Sequence, residues 1–451
     1  MSLPRRSLAQ AAAAFALTLA LAAPAAERAR SSDGDPLFER EELVADLAQM
    51  AGAIRYRHPA PFAFIAREDF DRLAADIESR IAPRMSSLEF YRLAAPLAAA
   101  TGCVHSYLSL PDAAWRTLWE RGGRLPFQAA LVDGRLYAIS VPPGSDISAG
   151  SELLAIGGLE TPELLARLRA AIAADRRGES GFRARINADF NYMYLQLVGP
   201  VADCALRLLA PDGTTRDLSI RGVASRYFDK FIRWKHLPPS GFKEFAEGVS
   251  YLRIADFEDY GFVAGLVESN FARLAATGAR RLVLDLRGNM GGAPECGALL
   301  LSYLLEAPFS YFANQYPGYE GLASPIPIKP QAFRGELVVL MDGASSSTTG
   351  HVLAILAAAK GRAFLVGEES GGSYVCHDYG TFVYLNNTKL PLRTARRTVK
   401  AGVVGQDPST GVLPDLEIEP LLSDHLAGRD AALEAALAVR LAFPGADGDG
   451  E

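Results

Sequence analysis

The sequence predicts an α/β protein made of an N-terminal helical domain, a small β-rich domain and a larger C-terminal α/β domain. Residues 35–120 carry apolar side chains at helical spacing, and residues 125–222 alternate apolar with polar positions between turn signals. Residues 240–440 alternate strand-like with helix-like segments. With 451 residues, 49% of them hydrophobic, the chain is long enough to bury more than one core.

The first 25 residues have the composition of a secretory signal peptide. Arg5 and Arg6 provide a positive start, residues 11–23 are apolar, and Ala23-Pro24-Ala25 has the small-residue pattern of a cleavage site. The apolar run is shorter than the roughly 20 residues that a membrane-spanning helix needs. We therefore expect cleavage after Ala25, a periplasmic or secreted location, and no membrane span in the mature chain.

Charge and cysteine content argue against two classes of function. The formal net charge of −6 gives no general basic surface for a nucleic-acid partner. The cysteines lie far apart and show no C-x-x-C spacing, so we predict no zinc site and expect no cofactor. One or two disulfides can form in an oxidising compartment, but the sequence does not reveal their pairing. The four cysteines are Cys103, Cys204, Cys296 and Cys376.

The N-terminal domain is predicted to contain three amphipathic helices, at residues 35–120. Ser86 and Glu89 form a capping-box pattern that opens the third helix. That helix is expected to end at Gly102, and a short strand follows at residues 103–108. His105 lies in this strand; an isolated histidine there is ordinarily a hydrogen-bonded structural residue.

The middle region is predicted to form a small β-rich domain over residues 125–222. Asp133-Gly134 is a two-residue hairpin signal between two alternating strands. Residues 151–158, SELLAIGG, are similar to the GDxIxxING strand of PDZ modules. That resemblance implies a PDZ-like domain, which can bind an extended peptide along a sheet edge. A β-rich spacer without a ligand is the alternative.

The C-terminal domain contains a hydroxyl cluster where a buried strand precedes a helix. The apolar strand at residues 337–341 is broken by Asp342-Gly343, and helical spacing follows as far as Lys360-Gly361. Free backbone amides and the positive end of the helix dipole meet at such a turn and would stabilise an oxyanion beside a serine. Simple capping of the helix is the alternative. The cluster is Ser345, Ser346, Ser347, Thr348 and Thr349.

A second segment supports a catalytic reading. The strand at residues 282–286 is followed by a loop with the sequence GNMGG at residues 288–292, whose bare amides can approach a substrate carbonyl. Together the two segments resemble the tail-specific, or C-terminal processing, serine peptidases and their tricorn-core relatives, in which DLRGNGGG precedes the nucleophile strand. The resemblance implies a ββα-repeat catalytic domain, as in crotonases and the Clp protease.

The same resemblance implies the residues of the nucleophile turn. Ser347 is the preferred nucleophile, because its local sequence matches the tricorn-like branch and a primary hydroxyl is the less hindered attacker. Ser346 and Thr348 are the alternatives. Gly291, Gly292 and Thr348 are expected to supply the oxyanion hole.

The base is expected to be a histidine, since Ser373 stands where the C-terminal processing enzymes carry their lysine. Of six histidines, His105 fits the HxxL setting of the tricorn-like branch. His377 is its main competitor, because it follows the glycine-rich segment at residues 367–373. The residues at 411–418, GVLPDLEI, match a motif that follows the catalytic acid in that branch. Asp407, just upstream, is therefore the expected acid.

The predicted function is that of an exported serine endopeptidase, which hydrolyses peptide or protein substrates by acyl-enzyme chemistry with a Ser/His/acid arrangement. The alternative is a catalytically inactive peptide-binding or scaffold protein on the same fold, which the missing lysine and the unusual Ser/Thr run leave open. The sequence leaves the formation of a homo-oligomer open.

Overall fold

The computed structural model describes residues 35–224, 227, 237–245 and 248–439, in a mixed α/β fold. The predicted signal peptide lies outside these residues. None of the helices within them is long and apolar enough to cross a membrane. The helices are α1 (Arg40–Arg57), α2 (Arg67–Ser79), α3 (Ser87–Ala99), α4 (Asp112–Arg121), α5 (Thr161–Ala171), α6 (Glu179–Leu197), α7 (Tyr260–Thr277), α8 (Pro294–Leu304), α9 (Thr348–Ala358), α10 (Leu422–Ala427) and α11 (Ala431–Ala438).

The strands fall into two large sheets and three small groups. They are β1 (Leu37–Glu39), β2 (Arg84–Ser86), β3 (Tyr107–Leu108), β4 (Gln128–Val132), β5 (Arg135–Ser140), β6 (Glu152–Ile156), β7 (Leu159–Glu160), β8 (Asp203–Leu209), β9 (Thr215–Arg221), β10 (Gly241–Glu244), β11 (Val249–Arg253), β12 (Arg281–Asp285), β13 (Glu336–Met341), β14 (Phe364–Gly367), β15 (Val375–Asp378), β16 (Thr381–Tyr384), β17 (Pro391–Thr394), β18 (Arg397–Lys400) and β19 (Leu416–Glu417).

The N-terminal helices and the middle sheet share one hydrophobic core. This core runs from Leu43 in α1 through Phe90 in α3 and Phe127 to Leu206 in β8, and it also includes Leu392 of β17. The middle sheet is antiparallel in the order β4-β5-β6-β8-β9, with β7 paired to β6. The two segments thus bury their apolar faces against each other, and the division into a helical domain at 35–120 and a PDZ-like domain at 125–222 stays a prediction.

The C-terminal domain is built on a six-stranded sheet in the order β10-β11-β12-β13-β14-β19. All neighbours are parallel except β10, which is antiparallel to β11. Helices α7, α8 and α9 alternate with the strands and form one core, while α11 covers the opposite face, where Ala432 and Ala436 meet Val338. Burial on both faces explains the nearly continuous apolar strands, and the predicted α/β alternation is confirmed.

Strand β3 brings His105 to the C-terminal domain. It pairs antiparallel with β17, with Leu108 opposite Leu392, and β17 in turn pairs with β16. The backbone N–H of Ala395 donates to the Ser106 hydroxyl at 3.1 Å. His105, two residues before β3, is therefore held next to the C-terminal domain.

The four cysteines are all free thiols and are all buried. The disulfides that an oxidising compartment would allow are therefore absent from the fold. The Cys103 thiol lies 3.5 Å from the His377 carbonyl oxygen, and Cys376 lies in the candidate site described below.

Candidate active site

Ser347 occupies the N-cap of α9, directly after the turn that ends β13. Its φ of +53° is unusual for a residue with a side chain, and such strain occurs preferentially at functional turns. The Asp342 carboxylate holds the turn by accepting from the N–H groups of Gly288 and Ala344, both at 3.0 Å, and of Ser345 at 3.2 Å. The nucleophile turn and the glycine loop are therefore joined through one carboxylate.

Neighbouring hydroxyls in the cluster are engaged by the glycine loop. Ser346 Oγ donates to the Met290 carbonyl at 3.3 Å, and Thr348 Oγ1 donates to the Gly292 carbonyl at 2.6 Å. Both residues are buried, whereas Ser347 is half-buried, and hydrogen bonding by its side chain partly offsets the rise that burial causes in the pKa of the Cys376 thiol. These contacts favour Ser347 over Ser346 and Thr348.

The glycine loop packs directly on the nucleophile. Gly291 has φ +103°, and a Cβ there would lie 2.7 Å from the Ser347 Cβ, so a side chain does not fit. The Gly291 N–H donates to Asn289 Oδ1 at 2.9 Å and is not free for an oxyanion, which corrects the expected role of this residue. Among the described residues, the N–H groups of Gly292 and Thr348 have no hydrogen-bond acceptor. They are the available donors.

A buried ionic network supports the loop from below. The Arg287 guanidinium bonds both carboxylate oxygens of Asp285, at 3.0 and 2.8 Å, and reaches Asp430 at the start of α11 at 2.6 Å. Arg253 lies 3.2 Å from the same Asp285 carboxylate, and the Tyr251 hydroxyl donates to it at 2.7 Å. The aspartate and arginine of the DLRG sequence therefore fix the loop and do not face a substrate.

His105 lies between a carboxylate and a thiol that belong to the same strand. Its Nε2 is 3.7 Å from Asp378 Oδ2, and its Nδ1 is 3.6 Å from Cys376 Sγ. Residues two apart on a strand point to the same face, so Cys376 and Asp378 both face the imidazole from β15. Arg393 donates to Asp378 Oδ1 at 2.7 Å and to the His105 carbonyl at 3.0 Å.

His377 and Asp407, the other candidates from the sequence, make their hydrogen bonds away from the cluster of His105, Cys376 and Asp378. His377 points to the opposite face of β15, where Nδ1 is 3.0 Å from Thr398 Oγ1, and burial lowers its pKa. Asp407 is exposed, and its carboxylate accepts from the N–H and the hydroxyl of Ser409 at 2.8 and 2.7 Å. Asp378 is the carboxylate next to His105, and the role of Asp407 as the acid stays a prediction that these contacts do not support.

His351 follows one turn after Ser347 but has a different environment. It is buried beside the rings of Tyr311 and Phe312, each with its centroid 5.8 Å away, and neither imidazole nitrogen has a hydrogen-bond partner among the described residues. Burial lowers the pKa of His351 to about 4, so the ring is neutral at neutral pH.

No group of three or more histidine, cysteine, aspartate or glutamate side chains within the described ranges could hold a metal ion.

A segment of the middle region completes the surroundings of the site. The Arg176 side chain donates to the carbonyls of Ser370 and Gly371 at 3.2 and 2.9 Å, and its backbone N–H donates to the Gly102 carbonyl at 2.9 Å. A cavity of about 30 Å³ lies between this segment and the nucleophile turn. Ala173, Ala174, Met290, Ser346 and Gly371 are among its lining residues.

Comparison with known proteins identifies a peptidase region in the chain. Residues 248–418 match the model of peptidase family S41. A search of curated protein sequences gives no match to this chain.

Solved structures share the fold at low sequence identity. The crystal structure of a CPAF mutant is 14% identical, covers 90% of this chain and 99% of that chain, and has a TM-score of 0.62. Mature CPAF complexed with lactacystin is 16% identical, covers 86% and 95%, and has a TM-score of 0.58. The photosystem II D1 C-terminal processing protease is 16% identical over 84% and 93%, with a TM-score of 0.44.

The matched region contains the whole parallel part of the sheet, the glycine loop and the Ser347 turn. Residues 248–418 are therefore a peptidase family S41 region, and the chain is a serine-type peptidase.

Proposed function

We propose that this peptidase is an exported endopeptidase that forms an acyl-enzyme on Ser347, with His105 as the general base and Asp378 as the group that orients His105. The observation that carries the proposal is the set of groups around Ser347. The N–H groups of Gly292 and Thr348, which have no acceptor among the described residues, belong to the loop and helix that flank the serine. Cys376, whose pKa responds to Ser347, contacts His105, and His105 lies beside Asp378.

The proposed reaction follows from these positions. The Ser347 hydroxyl attacks the carbonyl of the scissile peptide bond, and its proton passes to His105. The N–H groups of Gly292 and Thr348 stabilise the oxyanion, and loss of one such donor typically costs about 3 kcal/mol. The imidazolium, balanced by Asp378, then protonates the leaving amine, and a water molecule repeats the sequence to release the acid.

A lysine base is not supported at the position where the C-terminal processing enzymes carry one. Ser373 stands there, and its hydroxyl donates to the Val375 carbonyl at 3.2 Å. His105 is the titratable base that shares a cluster with Ser347, which supports the histidine assignment over an inactive scaffold.

We also propose that the middle region binds part of the peptide substrate, as its resemblance to PDZ modules implies. Strand β9 is the last strand of its sheet and alternates exposed with half-buried residues. An extended peptide can add to such an edge through backbone hydrogen bonds. The Arg176 contacts to Ser370 and Gly371 join this region to the segment between β14 and β15.

Labelling with a fluorophosphonate probe tests the serine chemistry. The mature protein should be labelled covalently, and Ser347→Ala and His105→Ala should each abolish labelling. Ser269→Ala, which removes an exposed hydroxyl on α7, and His377→Ala, which changes the opposite face of β15, should leave it intact.

The outcomes separate the alternatives. A correctly folded wild-type protein that takes up no probe and cleaves no labelled casein would support the inactive scaffold. Loss of labelling in Ser346→Ala or Thr348→Ala, with Ser347→Ala still labelled, would move the nucleophile to a neighbour. Loss of labelling in His377→Ala, with His105→Ala still labelled, would assign the base to His377.

We propose export on the basis of residues 1–25, with a mature chain that begins near Ala26 in the periplasm or medium. N-terminal sequencing of protein from fractionated cells measures this directly. Recovery of the chain from the envelope with Met1 to Ala25 intact would contradict the cleavage.

A further inference from the structure

The thiol of Cys376 lies between the proposed nucleophile and the proposed base. Its sulfur is 3.6 Å from His105 Nδ1. Hydrogen bonding by the Ser347 side chain opposes the burial that raises the pKa of the same thiol. Among the described residues, Ser347 and His105 share no direct hydrogen bond. A proton that leaves Ser347 for His105 therefore meets Cys376 first.

The contact of His105 with Asp378 sets the direction of hydrogen bonding at the thiol. A neutral imidazole carries one N–H and one acceptor nitrogen. Asp378 Oδ2 faces Nε2 at 3.7 Å, which favours the proton on Nε2 and leaves Nδ1 as an acceptor. The Cys376 S–H can then donate to Nδ1, and the sulfur lone pairs can accept the Ser347 hydroxyl.

We propose that Cys376 relays the proton between Ser347 and His105 in the acylation step. As the Ser347 oxygen bonds to the substrate carbonyl, its O–H bond breaks and the proton forms a new S–H bond on Cys376. The original S–H bond breaks in the same step and its proton forms the Nδ1–H bond of His105. Cys376 is a thiol before and after, Ser347 becomes the ester oxygen, and His105 becomes the imidazolium beside Asp378.

The environment favours a relay over a second nucleophile. A cysteine attacks as its thiolate, but burial raises the pKa of the Cys376 thiol well above its ordinary value. The side chain is only 5% exposed, and it is enclosed by β15, β18 and the nucleophile turn. A buried neutral thiol can pass a proton along hydrogen bonds without meeting the substrate carbon.

Two substitutions of nearly equal size separate the chemistry of the thiol from its volume. Cys376→Ser keeps a group that both donates and accepts, while Cys376→Ala removes it. The second-order rate constant for fluorophosphonate labelling should stay within about 10-fold of wild type in Cys376→Ser and fall by about 10²-fold or more in Cys376→Ala. Cys204→Ala, which changes a buried thiol of the middle sheet, is the control.

A second measurement detects the moving protons. The labelling rate of wild type and of Cys376→Ser, measured in mixtures of H₂O and D₂O, should depend on the deuterium fraction with the curvature of two protons in flight. Thermal unfolding of each variant monitors folding. Equal labelling rates in folded Cys376→Ser and Cys376→Ala, or a linear one-proton dependence in wild type, would overturn the relay.

The relay rests on the proposed roles of Ser347 and His105, and the same probe distinguishes the two failures. If Ser347→Ala is labelled as fast as wild type, the proposed nucleophile is at fault. If Ser347→Ala and His105→Ala take up no probe while Cys376→Ser and Cys376→Ala are labelled at equal rates, only the relay is excluded.

Discussion

At the scale of single residues, Arg393 holds His105 and Asp378 together. Its guanidinium donates to the Asp378 carboxylate at 2.7 Å and to the His105 carbonyl at 3.0 Å, so it holds both ends of the pair from β17. The Arg393 and Asp378 side chains are 19% and 35% exposed, which leaves this ion pair partly screened. Its main effect is geometric, because it orients Asp378 Oδ2 towards His105 Nε2.

The acid can be assigned by comparing two aspartate variants. Asp378→Asn should lower the labelling and peptidase rates by about 10²- to 10⁴-fold, because an amide no longer holds the reactive tautomer of His105 or stabilises its imidazolium. Asp407→Asn should have little effect, since the hydrogen bonds of its carboxylate within the described residues are made to Ser409. Rates of labelling and of casein cleavage measure both. The reverse pattern would restore Asp407 as the acid.

At the scale of elements, α9 follows Ser347 directly and is buried over most of its length. Every residue from Thr348 to Leu356 is buried, so the helix is anchored on all sides and holds Ser347 in its strained conformation. His351 is the one titratable side chain in this stretch, and it has no hydrogen-bond partner among the described residues. A charge on His351 would therefore be buried without a partner.

Acid should destabilise the fold through His351. Its pKa is lowered to about 4 in the fold, against 6.5 for an ordinary histidine. Below pH 6.5, His351 is protonated in the unfolded chain but stays neutral in the folded protein. The free energy of unfolding therefore decreases as pH falls from 6.5 towards 4. The loss from this group should be about 2 kcal/mol at pH 5, relative to pH 8.

Urea unfolding of wild type and His351→Leu at pH 8 and pH 5 measures this contribution. The difference between the two pH values should be smaller in His351→Leu by about 2 kcal/mol. His58, whose pKa burial also lowers to about 4, retains its own part of the acid sensitivity in both proteins. An identical pH dependence in the two proteins would mean that His351 can take up a proton in the folded state.

At the scale of the whole molecule, α6 of the middle region is clamped to the catalytic domain. The Arg183 guanidinium lies 2.9 Å from Glu368, directly after β14, and 2.7 Å from Glu419. Arg183 and Glu368 are 19% and 11% exposed, so this pair is largely buried. Burial raises the pKa of Glu368 to about 7, and the nearby Arg183 opposes that rise. The contact between α6 and the catalytic domain therefore depends on the charge of the Glu368 carboxyl group.

Removing only one partner should weaken this contact strongly. Arg183→Met leaves the Glu368 carboxylate buried without its cation, and such a change typically costs 3–5 kcal/mol. A folded pKa above the unfolded value means that stability is lost as pH rises through the folded pKa, so the defect should be larger at pH 8 than at pH 6. Adding Glu368→Gln should recover much of the loss at pH 8.

Urea unfolding at the two pH values measures these variants. Arg207→Met is the matched control: its partner is Glu160, and because the two side chains are 41% and 58% exposed, it should cost less than about 1 kcal/mol. A loss in Arg183→Met no larger than in this control would show that the clamp contributes little.

The local features of the fold could be predicted from the sequence because they are encoded within short segments. Apolar runs predicted strands β12 and β13, the Ser86 and Glu89 pattern predicted the start of α3, and hydroxyls after a buried strand predicted the turn at Ser347. The glycine loop was also predicted, but not that the Gly291 N–H is already bonded to Asn289. Which amides stay free depends on side-chain contacts that no spacing encodes.

The sequence by itself determined the α/β catalytic domain, because strand and helix periods are local. The resemblance of its glycine and hydroxyl motifs to those of a known family gave the serine peptidase class, and Ser347 as the nucleophile stays a prediction. Only the tertiary structure decided which groups surround His105. Pairing of β3 with β17 brings His105 to β15, whose alternation turns Cys376 and Asp378 towards it and His377 away. Such pairing joins segments far apart in the chain, and its stability comes from long-range burial and hydrogen bonds that local patterns do not report.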